Sequence, residues 1–259
     1  MESDAKNYSR AAVIGEGKVW LADGDKLPLC DGRWPALFDL GDGVCACRRE
    51  DLPGDAALTS VELRASYRLL AEEEYEKAAK ASELLFWERT VRYCPRCGTA
   101  LERATNISKK CPQCGAEHFP SPATAIIVLV TDGNGRALLV HARNFKRPFF
   151  GLVAGFVETG ESAEECVRRE VMEETSLRVR DVRYVASQSW PFPFQLMLGF
   201  TATAENPEEL RFADGELTDG GFYTPDALPP LATPPSLARI LIDRWLAAQH
   251  RYDSQRQQK

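Results

Sequence analysis

Three glutamates about two thirds of the way along the chain have the spacing of a metal-binding helix face. Glu170, Glu173 and Glu174 occupy positions i, i+3 and i+4, so on a helix their carboxylates share one face, with about 5–6 Å between β-carbons. Ser162 precedes Glu165 by three positions, the spacing of a capping box, which predicts that a helix begins here. Gathered carboxylates favour Mg²⁺ or Mn²⁺ over zinc. Spacing alone does not exclude the alternative that these glutamates form only a solvated acidic face. Like-charged neighbours on a helix cost only about 0.2–0.5 kcal/mol per pair.

Two C-x2-C pairs predict a structural zinc site. Cys94 and Cys97 form the first pair and Cys111 and Cys114 the second, with 13 residues between the pairs. Four thiolates close a tetrahedral zinc site and leave no position for a water molecule, so this metal would be structural. Redox cysteines or disulfides are the alternative. We expect the remaining cysteines to be buried small residues: Cys30, Cys45, Cys47 and Cys166.

Four basic residues lie close to the zinc-ligand candidates. Zinc ribbons also bind nucleic acid, and basic residues at these positions are one feature of such proteins. We interpret them as a solvated basic loop, because the chain has a net charge of −6 and no overall basic field. The four residues are Arg96, Arg103, Lys109 and Lys110.

Composition indicates a folded protein with room for more than one domain. The 259 residues are 44% hydrophobic and 27% charged, which is typical of globular proteins and argues against a disordered or membrane chain. The longest apolar run, Ala125 to Val130, is far shorter than the roughly 20 residues that span a bilayer. The first ten residues lack the apolar core of a secretory signal. We therefore expect a cytoplasmic protein with reduced cysteines and no membrane partner.

Turn signals and periodicity predict the elements that must position these residues. Residues 1–65 alternate short apolar runs with turns, which indicates a β-rich unit, and the Glu-, Lys- and Ala-rich residues 61–91 predict one or two helices. Pro120 and Pro122 mark a boundary before a new domain. The predicted elements beyond it are a strand at 124–130, a hairpin turn at 132–135, strands at 136–142 and 195–203, a helix at 236–249 and a polar tail from residue 250.

The segment from Gly155 to Leu177 resembles the Nudix hydrolase signature. That signature has a glycine, five residues, a glutamate, seven residues, and then Arg-Glu-aliphatic-x-Glu-Glu-x-Gly-aliphatic. The matching positions here are Gly155, Glu161 and the run that begins at Arg169. Ser176 is the one departure, where the family has a glycine suited to a positive φ at the helix end, and a serine held there would cost about 1 kcal/mol.

The resemblance implies an enzyme that hydrolyses a nucleoside diphosphate linked to another group, using two or three divalent ions. It implies Glu170 and Glu174 as Mg²⁺ or Mn²⁺ ligands, and Glu173 as a further ligand or the base that orients the water, so that Glu173 and Glu174 are the catalytic pair. Clustered cations would screen the phosphates and lower the pKa of a bound water. Arg169 is expected to hold the helix through a salt bridge.

Residues 187–195 resemble the SQPWPFPxS element of the NADH pyrophosphatase subgroup. Seven of nine positions match, and the departures are Ser189 for proline and Gln195 for serine. Rigid aromatic rings there would form a platform for a nicotinamide or an adenine, with a buried aromatic turn as the alternative. The subgroup also implies metal contacts from the Ala154 carbonyl and from Glu216. The implied substrate-binding residues are Phe119, Gln188, Ser189, Trp190, Pro191, Phe192, Pro193, Phe194, Gln195 and Ala238.

These patterns predict an α+β protein. It would have a C-terminal Nudix α/β/α sandwich with a mixed sheet, preceded by a four-cysteine zinc ribbon and a small β-rich N-terminal domain. The expected boundaries are an N-terminal domain at 1–90, a ribbon at 91–120, a Nudix domain at 121–250 and a flexible tail at 251–259.

The resemblance implies hydrolysis of NADH and NAD to AMP and nicotinamide mononucleotide by a homodimer with one structural Zn²⁺ per chain. NAD-capped RNA is a further implied substrate. A pyrophosphatase for ADP-ribose or nucleoside diphosphate sugars is one alternative, favoured if the altered Ser189 and Gln195 reshape the pocket. A zinc-ribbon nucleic-acid-binding protein with an inactive Nudix fold is the other.

Overall fold

The computed structural model describes residues 8–30, 34–54, 57–145, 148–212 and 215–256. The chain divides into two compact units. The first comprises Met1–Pro122 together with Trp190–Phe194, and the second comprises Ala123–Ser189 and Gln195–Lys259. The predicted domain limits at residues 90, 120 and 250 remain predictions. Among the described residues, no helix combines the length and hydropathy that a bilayer crossing requires.

The first unit begins with a mixed sheet. In its described part the strands are β1 (Arg10–Gly15), β2 (Lys18–Leu21), β3 (Phe38–Gly41), β4 (Val44–Arg48) and β5 (Thr59–Glu62), in the order β3-β4-β1-β2-β5. Two helices follow, α1 (Leu63–Ser66) and α2 (Glu72–Thr90), as the composition predicted. Helix α2 has no Gly or Pro, and it buries Leu84 and Trp87 in a core shared with this sheet.

The zinc-ligand candidates lie on a small antiparallel sheet in the same unit. Its strands are β6 (Glu102–Thr105), β7 (Ser108–Lys110) and β8 (Glu117–His118), in that order. The predicted solvated basic loop is wrong for Lys109, which lies on β7 with only 4% of its surface exposed. The aliphatic stem of Lys109 is buried, and its ammonium donates to two backbone carbonyls, so burial leaves no unsatisfied charge.

The second unit is built on a mixed sheet. Its elements are β9 (Ala123–Thr131), β10 (Ala137–Ala142), β11 (Val153–Phe156), α3 (Ala163–Thr175), β12 (Val179–Trp190), β13 (Gln195–Ala204), β14 (Leu217–Tyr223) and α4 (Leu237–Arg256). The described strands run in the order β12-β13-β9-β10-β14, with β11 also paired to β9. Strand β13 is parallel to β9, whereas β11 is antiparallel to it. The predicted hairpin through residues 132–135 is confirmed.

Both faces of this sheet are covered by helices. Ile126 and Val128 on β9 pack in a core with α3, and the alternate residues Ile127 and Leu129 pack in a second core with α4. A strand that is buried on both faces has a continuous apolar sequence, which explains the run from Ala125 to Val130. The predicted α/β/α sandwich with a mixed sheet is therefore confirmed.

Three local expectations differ from the structure. The glycine-containing stretch before α3, for which no strand was predicted, contains β11, whose residues pair with β9. Helix α4 was expected to end at Gln249 and continues to Arg256, since no Gly or Pro interrupts this segment. Cys30 is half-exposed, whereas Cys45, Cys47 and Cys166 are buried as expected.

Candidate active site

Helix α3 begins and ends as its sequence predicts. The backbone N–H of Glu165 donates to the Ser162 hydroxyl at 3.2 Å, and the Ser162 N–H donates to the Glu165 carboxylate at 2.7 Å, so the capping box is confirmed. At the other end Ser176 has φ 59° and ψ 14°, which is the left-handed conformation that the family glycine adopts without strain. Both ends of α3 are therefore defined, so Glu170, Glu173 and Glu174 all lie within the helix.

Replacing Ser176 by glycine is expected to stabilise the protein by about 1 kcal/mol, because glycine removes the penalty of a left-handed β-carbon. The thermal unfolding midpoint should rise by about 2–4 °C. The matched control is Ser176→Ala, which keeps the β-carbon and should give no such rise. Equal midpoints for the glycine and alanine variants would contradict this explanation.

Arg169, in the middle of α3, contacts three acidic residues that lie before and along the helix. Its guanidinium donates to both carboxylate oxygens of Glu161, at 2.6 and 3.1 Å, and to the Phe156 carbonyl at 2.9 Å. This two-pronged pair confirms the predicted salt bridge and ties the helix to the end of β11. The remaining nitrogen, Nη1, donates to Glu170 at 2.8 Å and to Glu173 at 3.0 Å. Arg169 thus sets the direction of two candidate metal ligands.

The electrostatics of this cluster follow from these contacts. Hydrogen bonds from Arg169 lower the pKa of Glu161 to about 2, so this carboxylate stays ionised and paired at neutral pH. Burial raises the pKa of Glu170, Arg169 opposes that rise, and the nearby charges of Glu173 and Glu216 add to it. Glu216 therefore lies close enough to repel Glu170, although 46 positions separate them in the chain. Cations placed among these carboxylates would replace repulsion with attraction.

Gly155 provides the space that Glu170 occupies. A β-carbon built at Gly155 would overlap the carboxylate of Glu170, which lies directly against β11. Any side chain at this position must push that carboxylate away. The glycine that opens the resemblance motif is thus explained by the close approach of a candidate ligand to the backbone.

Gly155→Ala is expected to leave the fold intact and to lower the hydrolysis rate at least about tenfold. The clash falls on the flexible end of Glu170, so the backbone need not move, but a displacement of about 1 Å can cost 10²-fold in rate. The control is Gly221→Ala on β14, where an added β-carbon meets only an ordinary contact at 3.8 Å. Rates and unfolding midpoints of both variants measure the effect. An unchanged rate for Gly155→Ala would contradict the assigned role of Glu170.

The candidate ligands differ in exposure. Glu174 is only 5% exposed, whereas the side chain of Glu173 is 54% exposed beside Arg169. Ala154 is exposed on β11. Within the described ranges, the carboxylate oxygens are not gathered as tightly as the cysteine sulfurs, which form the one set of three or more ligand atoms within 4.8 Å of one another. Hard oxygen donors, partly desolvated and mutually repelling, still fit Mg²⁺ or Mn²⁺.

The four cysteines form a site suited to zinc. Cys94 Sγ lies 3.6 Å from Cys114 Sγ, and Cys97 Sγ lies 3.5 Å from Cys111 Sγ. Tetrahedral zinc with Zn–S distances of about 2.3 Å requires sulfurs about 3.8 Å apart, which agrees with this spacing. Hydrogen bonding with Thr99 lowers the pKa of Cys97 to about 6, which favours the thiolate that zinc binds.

The two cysteine turns have the same backbone. In the first, the N–H of Gly98 donates to the Cys94 carbonyl, and in the second the N–H of Gly115 donates to the Cys111 carbonyl. Both glycines have φ above +70°, where a side chain would be strained. The glycine after each cysteine pair therefore has a conformational cause.

The aromatic candidates belong to the first unit, whereas the carboxylate candidates belong to the second. Trp190 and Phe192 form an edge-to-face pair with ring centroids 5.0 Å apart. The guanidinium of Arg64 lies 4.7 Å from the Trp190 ring and 4.5 Å from the Phe192 ring. Arg64 was not among the predicted site residues, because its contact with these rings joins residues far apart in the chain.

Phe119 and Phe194 line a cleft of about 570 Å³ in the first unit. Trp87 and His118 form other parts of its wall, and Phe119 is half-exposed. Phe194 also packs against Phe86 with centroids 6.1 Å apart. An apolar, aromatic-lined cleft of this size can hold a planar base.

The other predicted substrate residues have varied surroundings. The Gln188 amide donates to the Pro235 carbonyl at 2.7 Å, so it fixes the segment before α4. Ala238 is buried in the core under α4, which leaves its backbone as the group that could contact a ligand. Pro191 is buried, Pro193 and Ser189 are exposed, and Gln195 begins β13.

Phe156 is a further functional candidate, which lies within the Nudix motif next to Gly155 but has no role in the motif pattern. Its carbonyl accepts from Arg169, and its side chain is 52% exposed at the end of β11. An aromatic ring left in water beside the acidic cluster is suited to stacking on a substrate base. Its position next to Gly155 is the signal that could have identified it.

Comparisons with known proteins agree with this arrangement. Residues 121–243 match the family described as NUDIX domain, and residues 89–119 match the NADH pyrophosphatase zinc ribbon domain. The chain is 38% identical over 216 residues to the NAD-capped RNA hydrolase NudC of Mycobacterium tuberculosis, a match that covers 77% of this chain and 68% of that protein. The chain therefore belongs to the Nudix hydrolase superfamily, in the subgroup that carries the NADH pyrophosphatase zinc ribbon.

Two further matches define the extent of the similarity. The NAD-capped RNA hydrolase NudC of Pseudomonas aeruginosa is 43% identical over 168 residues, which cover 64% of this chain and 60% of that relative's length. A crystal structure of a Nudix hydrolase from Nitrosomonas europaea has a TM-score of 0.53 at 22% identity and covers 62% of this chain and 93% of that chain. That structure supports the fold alone.

Proposed function

We propose that this protein hydrolyses the pyrophosphate of NADH and NAD, giving AMP and nicotinamide mononucleotide, and that it removes NAD caps from RNA. The observation that carries the proposal is the carboxylate of Glu170 seated in the space above Gly155, one helical turn before the buried Glu174. Such an arrangement costs free energy unless cations offset it. The zinc ribbon and the relatives named NAD-capped RNA hydrolase support the choice of substrate.

Different residues of this chain would bind the metal ions and accept the proton in this reaction. Glu170, Glu174 and Glu216 would hold Mg²⁺ or Mn²⁺ together with the Ala154 carbonyl. When bound, two or three such ions screen the phosphate charges and lower the pKa of a coordinated water. Glu173, exposed to solvent, would accept the proton of the attacking water. The hydrolysis adds one water across one P–O bond.

Arg169 is a positioning residue in this scheme. It touches Glu170 and Glu173 through the same nitrogen, and Glu161 holds the opposite edge of its guanidinium. This arrangement keeps both carboxylates oriented before substrate arrives, which lowers the reorganisation needed for catalysis. Glu161 and Arg169 therefore support the site without contacting the phosphates.

The aromatic residues of the first unit would bind the base. We assign the cleft between Phe119 and Phe194 to this role, because it is open and lined by rings. Trp190 and Phe192 are less suited to an open platform in this state, because Arg64 covers both rings. That contact favours ADP-ribose as a second candidate substrate, since ADP-ribose has no nicotinamide to stack.

A product assay tests the proposal. Purified protein with Mg²⁺ or Mn²⁺ should convert NADH to equal amounts of AMP and reduced nicotinamide mononucleotide, measured by liquid chromatography. A parallel reaction with ADP-ribose should be slower. Faster cleavage of ADP-ribose would support the second candidate. Affinity for RNA without turnover of any dinucleotide would overturn the hydrolase proposal.

We further propose a homodimer that holds one structural Zn²⁺ per chain and acts in the cytoplasm. Resemblance to the subgroup supports the dimer. The two C-x2-C pairs support a reducing compartment, because paired cysteines there more often bind metal than form disulfides. Light scattering after gel filtration should give twice the mass of one chain, and a monomer of full activity would contradict the dimer.

A further inference from the structure

A second cleft, of about 450 Å³, lies in the first unit beside the end of α2. It is distinct from the aromatic cleft that contains Phe119. Its lining is unusually basic for a chain with a net charge of −6. The charged and aromatic residues in its wall are Arg48, Glu88, Arg89, Arg92, Tyr93 and Lys109.

The internal ion pairs leave positive charge facing this cleft. Glu88 is neutralised twice, by Lys109 at 3.1 Å and by Arg103 at 2.7 Å. Arg89 and Arg92 are exposed, and neither forms an ion pair with another residue in the described ranges. Two guanidinium groups are therefore available to an anionic ligand, and a cationic ligand is disfavoured.

The backbone around the cleft is held in place. Tyr93 pairs with Ala100, and the Leu101 N–H donates to the Arg92 carbonyl at 2.9 Å. The carbonyls at the end of α2 would repel an anion, but Lys109 donates to the carbonyl of Glu88 and also to that of Val91, so they are occupied. The cleft thus presents its guanidinium groups from a rigid frame.

The cleft also contains an exposed aromatic ring, that of Tyr93. Tyr93 is 59% exposed, and the guanidinium of Arg92 lies 5.8 Å from its ring centroid. Guanidinium groups that pair with phosphates, next to an exposed ring on which a base can stack, are the combination found in sites for single-stranded nucleic acid. A simple phosphate site would not require the ring.

We propose that this cleft binds the body of single-stranded RNA, with Arg89 and Arg92 on successive phosphates and one base on Tyr93. The inference rests on the proposed function in one respect, since a capped RNA is the substrate whose body would reach such a site. The contacts are to backbone and ring faces, so binding should show little sequence preference.

The first test measures affinity for RNA without any chemistry. An uncapped 20-nucleotide RNA with a 5′-monophosphate is titrated with protein and followed by fluorescence anisotropy. Arg89→Glu/Arg92→Glu should weaken binding at least about tenfold. The slope of log K against log salt should fall by roughly 1.4, since each phosphate contact with a single strand contributes about 0.7. The control is Arg68→Glu/Lys80→Glu, an equal charge change at exposed positions outside the cleft, which should change affinity less than threefold.

A second test separates base stacking from charge. Tyr93→Ala should weaken RNA binding about tenfold with no change in salt slope, whereas Tyr93→Phe should retain it, because the ring remains. Zinc content and thermal unfolding identify any variant that fails to fold, and Arg89→Ala/Arg92→Ala then replaces the charge reversal. Equal losses in the control, or affinity for a mononucleotide equal to that for the 20-mer, would overturn the proposal.

Hydrolysis separates this inference from the proposed function. The cleft variants should hydrolyse NADH within twofold of the wild type and cleave a 20-nucleotide NAD-capped RNA at least about fivefold more slowly at subsaturating concentration. If the wild type fails to hydrolyse NADH, the proposed function is wrong, and the anisotropy result still decides the cleft. Equal slowing on NADH and on capped RNA would overturn the proposal, because the cleft would then make no contribution specific to RNA.

Discussion

Replacing Glu174 by glutamine lowers kcat/KM for NADH by at least about a thousandfold, equivalent to about 4 kcal/mol of transition-state stabilisation. Glu174 is 5% exposed, so solvent cannot take over the role of the lost charge. Glutamine has nearly the same shape but is neutral, and an amide is a much weaker ligand than a carboxylate for Mg²⁺ or Mn²⁺. The effect should appear in kcat, because charge on the phosphates develops towards the transition state.

The control is Glu164→Gln, an exposed position in the first turn of the same helix. It should retain activity within twofold. A second readout is the rise of the unfolding midpoint with Mn²⁺, which ligand binding to the folded state produces in the wild type and which Glu174→Gln should lose. Retention of half the wild-type rate by Glu174→Gln would remove this residue from the catalytic machinery.

Replacing Cys111 by serine is expected to release the zinc and unfold the sheet of β6, β7 and β8. Cys111 is 1% exposed. Zinc binding supplies about 10–16 kcal/mol in comparable small sites, far more than three short strands can provide by themselves. Metal analysis should fall from one zinc per chain to near zero, and limited proteolysis should cut between Cys94 and His118.

The matched control is Cys30→Ser, which also removes one thiol from the first unit but lies outside the four-cysteine set. It should keep the full zinc content and resist proteolysis. Because Phe119 directly follows β8, Cys111→Ser should also raise KM for NADH more than it lowers kcat. Full zinc occupancy in Cys111→Ser would show that the metal is held elsewhere.

Local sequence rules accounted for a large part of the site. The capping box at Ser162, the left-handed end at Ser176 and the two cysteine turns are each set by interactions within a few residues. The resemblance implied a salt bridge from Arg169, and the structure identifies Glu161 as its partner. These features need no knowledge of the rest of the chain, because the partners are close in sequence or lie on one helix.

The roles assigned to Glu173, Glu174 and the aromatic residues remain predictions. Helical spacing placed three carboxylates on one face, but it did not show that Glu174 is buried while Glu173 is open to solvent. That difference comes from packing of α3 on the sheet of the second unit. Burial changes the cost of a charge by several kcal/mol, so the same residue type serves different purposes at adjacent positions.

Periodicity, the cap at Ser162 and the resemblance to the Nudix signature predicted the fold class and the limits of α3, because these features are written in short stretches of sequence. Three contacts became known only from the folded chain: Arg64 covers Trp190 and Phe192, Glu170 fills the space above Gly155, and basic residues line a cleft beside α2. Each of these contacts joins residues that are distant in the chain. Side chains from separate elements come into contact only after hydrophobic burial has fixed the positions of those elements. Local conformational preferences therefore do not predict these contacts.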